Sequence, residues 1–321
     1  MSKSILLIFW VFSSANVWGQ IQTTTVRVAE KNTVSTEKAP YDSTVNLPPV
    51  SDLDTYVGQL VYIQGIRDHD KGYFGFVNRF GERYGSPSPN SSFFTRYEDL
   101  YGKYFIVSDV KDNTGTFKSV RPKTLTLRNR DDDSDVVYYS PHYEGENPWL
   151  TVSYYNYLRA LIGQKFYLLE KGFDEEYNYG YCLSPNDLYS GEKLYFDELD
   201  LWELTEIAEK EDDQCLIAIF KNKAGNISYC DLFDFGKTKK DSYKLLPQKE
   251  FNRLSKKYGA YYTKMMIKHD YQVGMPKELF RLMRGAPTSI NYSSYQEQWV
   301  YSTGYDADYY YFSNGKLTGW N

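Results

Sequence analysis

Short runs of apolar and aromatic residues recur along most of the chain, and Gly, Asp, Asn or Lys bounds nearly every run. Runs of this length and composition are typical of β-strands, and few stretches show the 3.6-residue period of a helix. The pattern therefore predicts a largely β protein in the first three quarters of the chain.

Two long units in this β-rich part resemble each other. Gly58-Gln59 recurs as Gly163-Gln164, and an apolar triplet follows each pair. A second strand-like segment follows at 100–107 and at 191–196, and each unit ends in a candidate hairpin, 124–139 and 216–230. We predict two tandem small all-β, barrel-like modules, residues 53–145 and 155–247. In size and strand rhythm they resemble bacterial SH3-like barrels.

The pattern changes to helical spacing at residue 248. Tyr258, Tyr262, Met266 and His269, with Met265 beside them, fall on one face of a helix. A second helix is predicted to open at Gly274-Met275-Pro276 and to end at Gly285. Its apolar stripe consists of Leu279, Phe280 and Met283.

Three strands, at 297–301, 309–312 and 316–320, are predicted to close the chain. Asn314-Gly315 is the pair that a type I′ hairpin turn requires. We expect an α+β domain at 248–321, with two helices on one face of a three-stranded antiparallel sheet. The residues expected to face the helices are Trp299, Tyr301, Tyr310, Phe312 and Leu317.

Three segments of this domain resemble a known family. They are GMPKELFRLMRGAP at 274–287, EQWVY at 297–301 and YYFSNGKLT at 310–318. In this order they resemble the BamE/OmlA (SmpA) outer-membrane assembly lipoproteins, whose fold is shared with the β-lactamase inhibitory protein. The resemblance implies that α+β fold, residence in the cell envelope and a role in protein binding without catalysis. It transfers no functional residue to this chain.

The first nineteen residues are similar to a cleaved secretory signal peptide, with Lys3 before an apolar stretch and Gly19 at its end. An uncleaved anchor is the alternative, but the apolar stretch is short for a bilayer, and no transmembrane segment is expected after cleavage. The first Cys is Cys182, so no lipid anchor is expected. Residues 20–52 are polar and end near Pro48-Pro49, which predicts a flexible linker, either a spacer or an idle tail.

Charge and composition narrow the classes of partner. Without Lys3 the chain has 36 basic residues (37 less one) against 42 acidic ones, a formal charge of −6, so a nucleic-acid partner is not expected. The chain has 33 Tyr but three His and three Cys, which favours strands and surfaces over metal clusters. For the cluster of Tyr177, Tyr179 and Tyr181, we consider equally a core role and a possible ligand surface for a glycan or peptide.

No residue pattern indicates a catalytic, cofactor or metal site. The acidic run at 131–135 fits a solvated hairpin turn better than a Ca²⁺ loop, and Asp68-His69-Asp70 fits a surface loop. A nucleophilic Cys182 with His142 or His269 has no local support. Cys215 and Cys230 lie on the two arms of one predicted hairpin. They are expected either to form a disulfide or to remain two buried thiols.

The sequence therefore predicts an exported bacterial cell-envelope protein, periplasmic or extracellular, that acts without catalysis through protein–protein contacts. One alternative is a protein that binds glycan or cell-wall peptide through Tyr-rich β-module surfaces, and another is a hydrolase with an unrecognised site. Residues 79–94 are predicted to be an exposed loop, and loops of this kind often carry binding contacts.

Overall fold

A computed structural model describes residues 40–46, 50–66, 69–113, 122–140, 148–169, 183–197, 199–211, 214–232, 244–302 and 306–321. They belong to one compact unit, Thr33–Asn321. Within the described residues the protein is mostly β, with several antiparallel sheets and four α-helices.

The described residues of the first part of the chain form eight strands. They are β1 (Leu60–Ile63), β2 (Phe76–Val77), β3 (Pro87–Ser88), β4 (Ser91–Thr95), β5 (Tyr104–Asp112), β6 (Lys123–Asn129), β7 (Val136–Tyr139) and β8 (Trp149–Thr151). Six of them form a sheet in the order β2-β7-β6-β5-β1-β8, and β3 pairs with β4. Two short 3-10 helices accompany this sheet: Val50–Tyr56 precedes β1, and Tyr97–Asp99 lies between β4 and β5.

The five strands of the second sheet have the same order as five of the six strands of the first sheet. After α1 (Val152–Arg159), its strands are β9 (Lys165–Leu168), β10 (Leu201–Glu209), β11 (Leu216–Asn222), β12 (Ile227–Asp231) and β13 (Leu245–Pro247). The order β12-β11-β10-β9-β13 matches β7-β6-β5-β1-β8, and β8 and β13 each run directly into a helix.

The Gly-Gln pairs occupy equivalent places in the two sheets. In each sheet, the Gly N–H donates to the carbonyl of one residue in the neighbouring long strand. The N–H of that long-strand residue donates to the Gln carbonyl. These bonds join Gly58 to Val107 (2.8 Å), Val107 to Gln59 (3.0 Å), Gly163 to Leu204 (2.8 Å) and Leu204 to Gln164 (3.0 Å). A β-bulge directly follows Val107 and Leu204. The repeat in the sequence is therefore a repeat in the backbone.

One predicted strand of the second unit is wrong. Residues 191–196 make an isolated bridge, Asn186 with Lys193, and the long strand of the sheet is β10 instead. The reason is local: the Asp187 carboxylate accepts hydrogen bonds from the N–H groups of Tyr189 and Ser190, which holds a turn there.

In the described residues of the C-terminal part there are three helices and a four-stranded sheet, where two helices and three strands were predicted. The helices are α2 (Gln248–Tyr258), α3 (Ala260–Ile267) and α4 (Lys277–Arg284). The strands β14 (Ser289–Tyr292), β15 (Glu297–Ser302), β16 (Ala307–Ser313) and β17 (Lys316–Trp320) pair in chain order. Gly259, at φ 91°, separates α2 from α3, so the predicted face from Tyr258 to His269 is split between them.

The predicted inward residues of this sheet are confirmed. Trp299, Tyr310, Phe312 and Leu317 are buried against the helices, and Tyr301 packs beside them half-buried. The Asn314-Gly315 turn has positive φ at both residues (50° and 73°), as a type I′ turn requires. The same core takes in Leu169 and Leu246 from the β9 side, and α2 begins directly after β13.

Tyrosine hydroxyls fasten the first two sheets to each other. Tyr97 donates to Oε1 of Gln214 (2.8 Å), and Tyr101 donates to Oε1 of Glu209 (2.7 Å). Burial, and next the negative charge of Glu209, raises the pKa of Tyr97 well above its ordinary range, so the hydroxyl remains a donor. Part of the high tyrosine content is therefore structural.

Residues 40–46 fall within the predicted linker and make specific contacts with β8. The buried Asn46 amide donates to the Trp149 carbonyl (2.9 Å), and its oxygen accepts from the Thr151 N–H (2.8 Å). The Tyr41 hydroxyl lies 2.8 Å from Thr151 Oγ1. The side chain of Asn46 therefore supplies β8 with the hydrogen bonds that a further strand would supply.

Candidate functional site

The predicted ligand surface of Tyr177, Tyr179 and Tyr181 lies outside the described residues. Three residues of the weaker catalytic hypotheses, Asp68, His142 and Cys182, also lie outside them.

The two cysteines of the β11–β12 hairpin are three positions out of register. Cys230 pairs with Ala218 in the ladder, and Cys215 precedes Ala218 by three residues. The Cys215 thiol donates to the Gly65 carbonyl of the first sheet (3.3 Å), and Cys230 is buried. The disulfide between them stays a prediction.

The acidic run between β6 and β7 uses its carboxylates within the turn. The hydrogen bond from Arg130 lowers the pKa of Asp131, and hydrogen bonds from Ser134 lower the pKa of Asp132. Asp135 accepts from the Tyr84 hydroxyl (2.6 Å) and from Asn129 (3.1 Å). This arrangement fits the solvated hairpin turn.

The two described histidines near candidate sites have structural surroundings. His69 pairs with Asp70 at 3.3 Å, and both side chains are exposed. His269 follows α3 at φ 56°, and its Nε2 bonds to the Leu169 carbonyl, which ties the helix end to the second sheet. In the described part of the chain, no three His, Cys, Asp or Glu side chains converge as a metal site would require. No helix there has the length and apolar character needed to cross a bilayer.

A group of exposed phenylalanines is the feature that packing leaves unexplained. It begins just before β2, where successive side chains point to different sides. Tyr73 and Phe76 are buried in the first core, while Phe74 between them is 50% exposed. The backbone is fixed here, because Tyr73 exchanges two hydrogen bonds of 2.8 Å with Thr95 of β4.

The turn after β2 holds Phe80 at its tip. Oδ1 of Asn78 accepts hydrogen bonds from the N–H groups of Phe80 (2.9 Å) and Glu82 (3.1 Å). Phe80 is 70% exposed, and the Arg79 guanidinium lies 4.7 Å from its ring centroid. The exposed ring is therefore carried on a turn that its own side chains stabilise.

The β3–β4 hairpin carries the remaining members. Phe93 is 78% exposed, and Phe94, on the opposite side of β4, lies 5.2 Å from the Phe74 ring. Arg83 joins the two hairpins, since its Nη1 donates to the Ser92 carbonyl (2.6 Å). We name the side chains of Phe74, Phe80, Phe93 and Phe94 the phenylalanine surface; they lie on two joined hairpins, with Phe93 on the other side of β4 from Phe94 and Phe74.

Residues behind the phenylalanine surface hold it rigidly. The Thr95 hydroxyl is buried and donates to the Tyr84 carbonyl (2.7 Å). A Cβ on Gly72 would lie 2.1 Å from the Thr95 carbonyl oxygen, so only glycine allows this close approach. Loops held this way lose little conformational entropy on binding.

The chemistry of the phenylalanine surface suits recognition and not proton transfer. Phenyl rings neither donate nor accept conventional hydrogen bonds, and their exposure in water is unfavourable until another apolar surface covers them. The sequence predicted an exposed loop at 79–94. Most of these residues are exposed, but the loop prediction is wrong for β3 and β4, which form a hairpin in which Ser88 is buried. Sequence reasoning did not single out the phenylalanines, because Phe in a strand-like run is usually a core residue.

Comparison with protein-family models, with curated proteins and with solved structures found no match to this chain.

Proposed function

We propose that this chain is an exported bacterial cell-envelope protein, periplasmic or extracellular, that binds a protein partner through the phenylalanine surface and catalyses no reaction. The observation that carries the proposal is the rigid exposure of Phe74, Phe80 and Phe93 on two joined hairpins. The signal-like first nineteen residues support export.

The composition of the phenylalanine surface favours a protein as its occupant. Protein interfaces are enriched in aromatic residues and Arg and depleted in Lys and Glu at their centres, and Arg79 lies over Phe80. Burial of an exposed phenyl side chain contributes about 2 kcal/mol. Three such anchors contribute about 6 kcal/mol before the cost of association is subtracted, and the preformed backbone lowers that cost.

The proposed architecture serves this role. We propose that the two repeated sheets are tandem β-modules of the small-barrel type, with the first presenting the phenylalanine surface. The remainder is proposed to be a BamE-like α+β domain, on the resemblance of its three sequence segments. The tyrosine contacts Tyr97–Gln214 and Tyr101–Glu209 support the tandem arrangement of the two β-modules, because they connect the first module to the second.

The test compares two variants of the full chain, purified with a tag from the producing cells. Phe80→Ser with Phe93→Ser removes two anchors, and Tyr195→Ser removes an aromatic ring that is exposed elsewhere (85%). We expect one protein to co-purify in fixed stoichiometry with wild type and Tyr195→Ser, and to be reduced at least tenfold with the double variant.

Equal recovery with all three chains would contradict the proposal. Binding of the wild type to phospholipid vesicles, lost in the double variant, would also overturn it, because it would assign the phenylalanine surface to a lipid bilayer.

A further inference from the structure

The face of the C-terminal sheet that points away from the helices has an unusual composition. Register places Asn291, Gln298, Tyr311 and Gly319 in one row across the four strands, and Ser289, Val300 and Tyr309 in the next. The charged strand residues Glu297 and Asp308 are on the helix side, where they pair with Lys277 and Arg284. Of the described strand positions on the outer face, only Lys316, at the rim, is charged.

The polar groups of this outer face are linked across the strands. Asn291 Nδ2 donates to Gln298 Oε1 (2.9 Å), and Gln298 Nε2 donates to the Tyr311 hydroxyl (3.1 Å). The Tyr311 hydroxyl donates in turn to Asn321 Oδ1 (3.4 Å). Each amide is thereby fixed in orientation, with donor and acceptor sites left over for a ligand.

Gly319 is the cross-strand partner of Tyr311, and the space where its side chain would stand is open. Its φ is not positive, and no described atom lies within 4 Å of the position that a Cβ would occupy. The fold therefore does not require glycine here, although glycine weakens a strand. A strand glycine marks a β-bulge, and one lies here between the pairs Tyr311–Gly319 and Phe312–Leu317, or a place where a ligand approaches closely. Since neither φ nor packing requires glycine at this bulge, we take the second reading.

We propose that this outer face binds an uncharged oligosaccharide, with one sugar ring stacked on Tyr311 over Gly319. Sugars with equatorial hydroxyls, such as β-1,4-linked glucose or N-acetylglucosamine, present a C–H face to an aromatic ring and hydroxyls to planar amides at its edge. Asn291 and Gln298 lie in the same cross-strand row as Tyr311, so their amides are available to those hydroxyls. The near absence of charge on the outer face matches an uncharged ligand and disfavours an acidic glycan.

This inference is independent of the proposed protein contact, since the two surfaces lie on different sheets. The outer face belongs to the β14–β17 sheet, and the phenylalanine surface to the hairpins beside the first sheet. Failure of either proposal leaves the other standing.

The experiment titrates the full mature chain with cellohexaose and chitohexaose, and with polygalacturonate as the acidic control, by isothermal calorimetry. We expect binding of at least one uncharged probe and none of polygalacturonate. Tyr311→Ala is expected to weaken binding by about tenfold or more. Tyr261→Ala, which removes a 61% exposed ring on α3, should leave binding unchanged.

Gly319→Thr is the decisive variant, because it should weaken oligosaccharide binding without lowering the stability of the fold. A β-branched side chain has open space and suits a strand, so the melting temperature should be kept or raised. The same side chain would occupy the open space across the strands from Tyr311, so binding should fall about tenfold or more.

Unchanged binding in a folded Gly319→Thr protein would overturn the proposal. So would binding of polygalacturonate in place of the uncharged probes, or no heat of binding at millimolar concentrations of either uncharged probe. Concentration-dependent dimerisation through the outer face, abolished by Gly319→Thr, would assign the face to a second copy of the chain and overturn it as well.

Discussion

At the scale of single residues, glycine explains why the repeat could be read from sequence. Gly58 and Gly163 have φ values of 89° and 87°, a conformation that other L-residues adopt only with strain. Each precedes the first strand of its sheet and starts the same hydrogen-bond pattern. A conformational requirement of this kind leaves a visible signal, so the Gly-Gln pair marked the repeat correctly.

The repeat makes a quantitative prediction about these two glycines. Gly58→Ala and Gly163→Ala should each lower the free energy of unfolding by about 1 kcal/mol, and by similar amounts, because an added Cβ meets strain but no neighbouring atom at either site. Urea unfolding followed by Trp fluorescence measures both. Gly319→Ala is the matched control, with open space and no positive φ, and should be neutral or slightly stabilising. A large difference between Gly58→Ala and Gly163→Ala would contradict the equivalence.

Glu297 predicts a pH dependence in the acid range. The hydrogen bond from Lys277 (2.6 Å), and next that from the Trp299 indole, lowers the pKa of Glu297 below its ordinary value of 4.5. A lowered folded-state pKa means that the carboxylate stabilises the fold above pH 4.5 and that this contribution is lost as pH falls below it. Glu297→Gln should therefore cost about 1 kcal/mol near neutral pH.

The cost of Glu297→Gln should shrink as the pH falls below 4.5, where wild type loses the same interaction. Urea unfolding across the acid range checks this. The exposed Glu192→Gln is the control and should show little cost throughout. A cost that does not change with pH would show that the Lys277 contact does not act through charge.

At the scale of elements, strands were predicted correctly where the sequence signal lies within the strand and its adjacent turn, and they were missed where the strand's own apolar pattern is weak. The β16–β17 hairpin was predicted because Asn314-Gly315 and the flanking strands are contiguous. β10 was missed because it contains three glutamates, at positions 203, 206 and 209, which weaken its apolar pattern. β14 was missed because most of its side chains are exposed, and its pairing with β15 compensates for a weak pattern.

The link between the first two sheets can be measured through Tyr101 and Glu209. A double-mutant cycle of Tyr101→Phe and Glu209→Gln should give a coupling energy of about 1.5 kcal/mol, the low end for a hydrogen bond to a charged group, because the setting is only partly buried. Tyr195→Phe with Glu209→Gln is the control pair and should give none.

The same contact predicts behaviour in alkali. Burial, and next the hydrogen bond to Glu209, raises the pKa of Tyr101 above its ordinary value of 10.0. A raised folded-state pKa means that stability is fully present below pH 10.0 and is lost as pH rises beyond it. Tyr101→Phe should therefore lose less stability than wild type between neutral pH and pH above 10.0. An identical alkaline loss in both proteins would exclude this contact as a contributor.

At the scale of the whole molecule, function was less visible in the sequence than fold. A core phenylalanine and an exposed one have the same letter, and the exposure of Phe74, Phe80 and Phe93 depends on how two hairpins are joined by Arg83. The uncharged outer face of the last sheet is visible only after the register separates Glu297 and Asp308 from the other side. Both surfaces are products of tertiary structure.

The most direct test of the central claim is site-specific photo-crosslinking in the producing cells. A photoreactive phenylalanine analogue replaces Phe93 in one version of the chain and Tyr195 in another, and mass spectrometry identifies the products. The account predicts one discrete crosslinked protein from position 93 and none from position 195. Crosslinks to many proteins from both positions, or a product from position 195 alone, would contradict it.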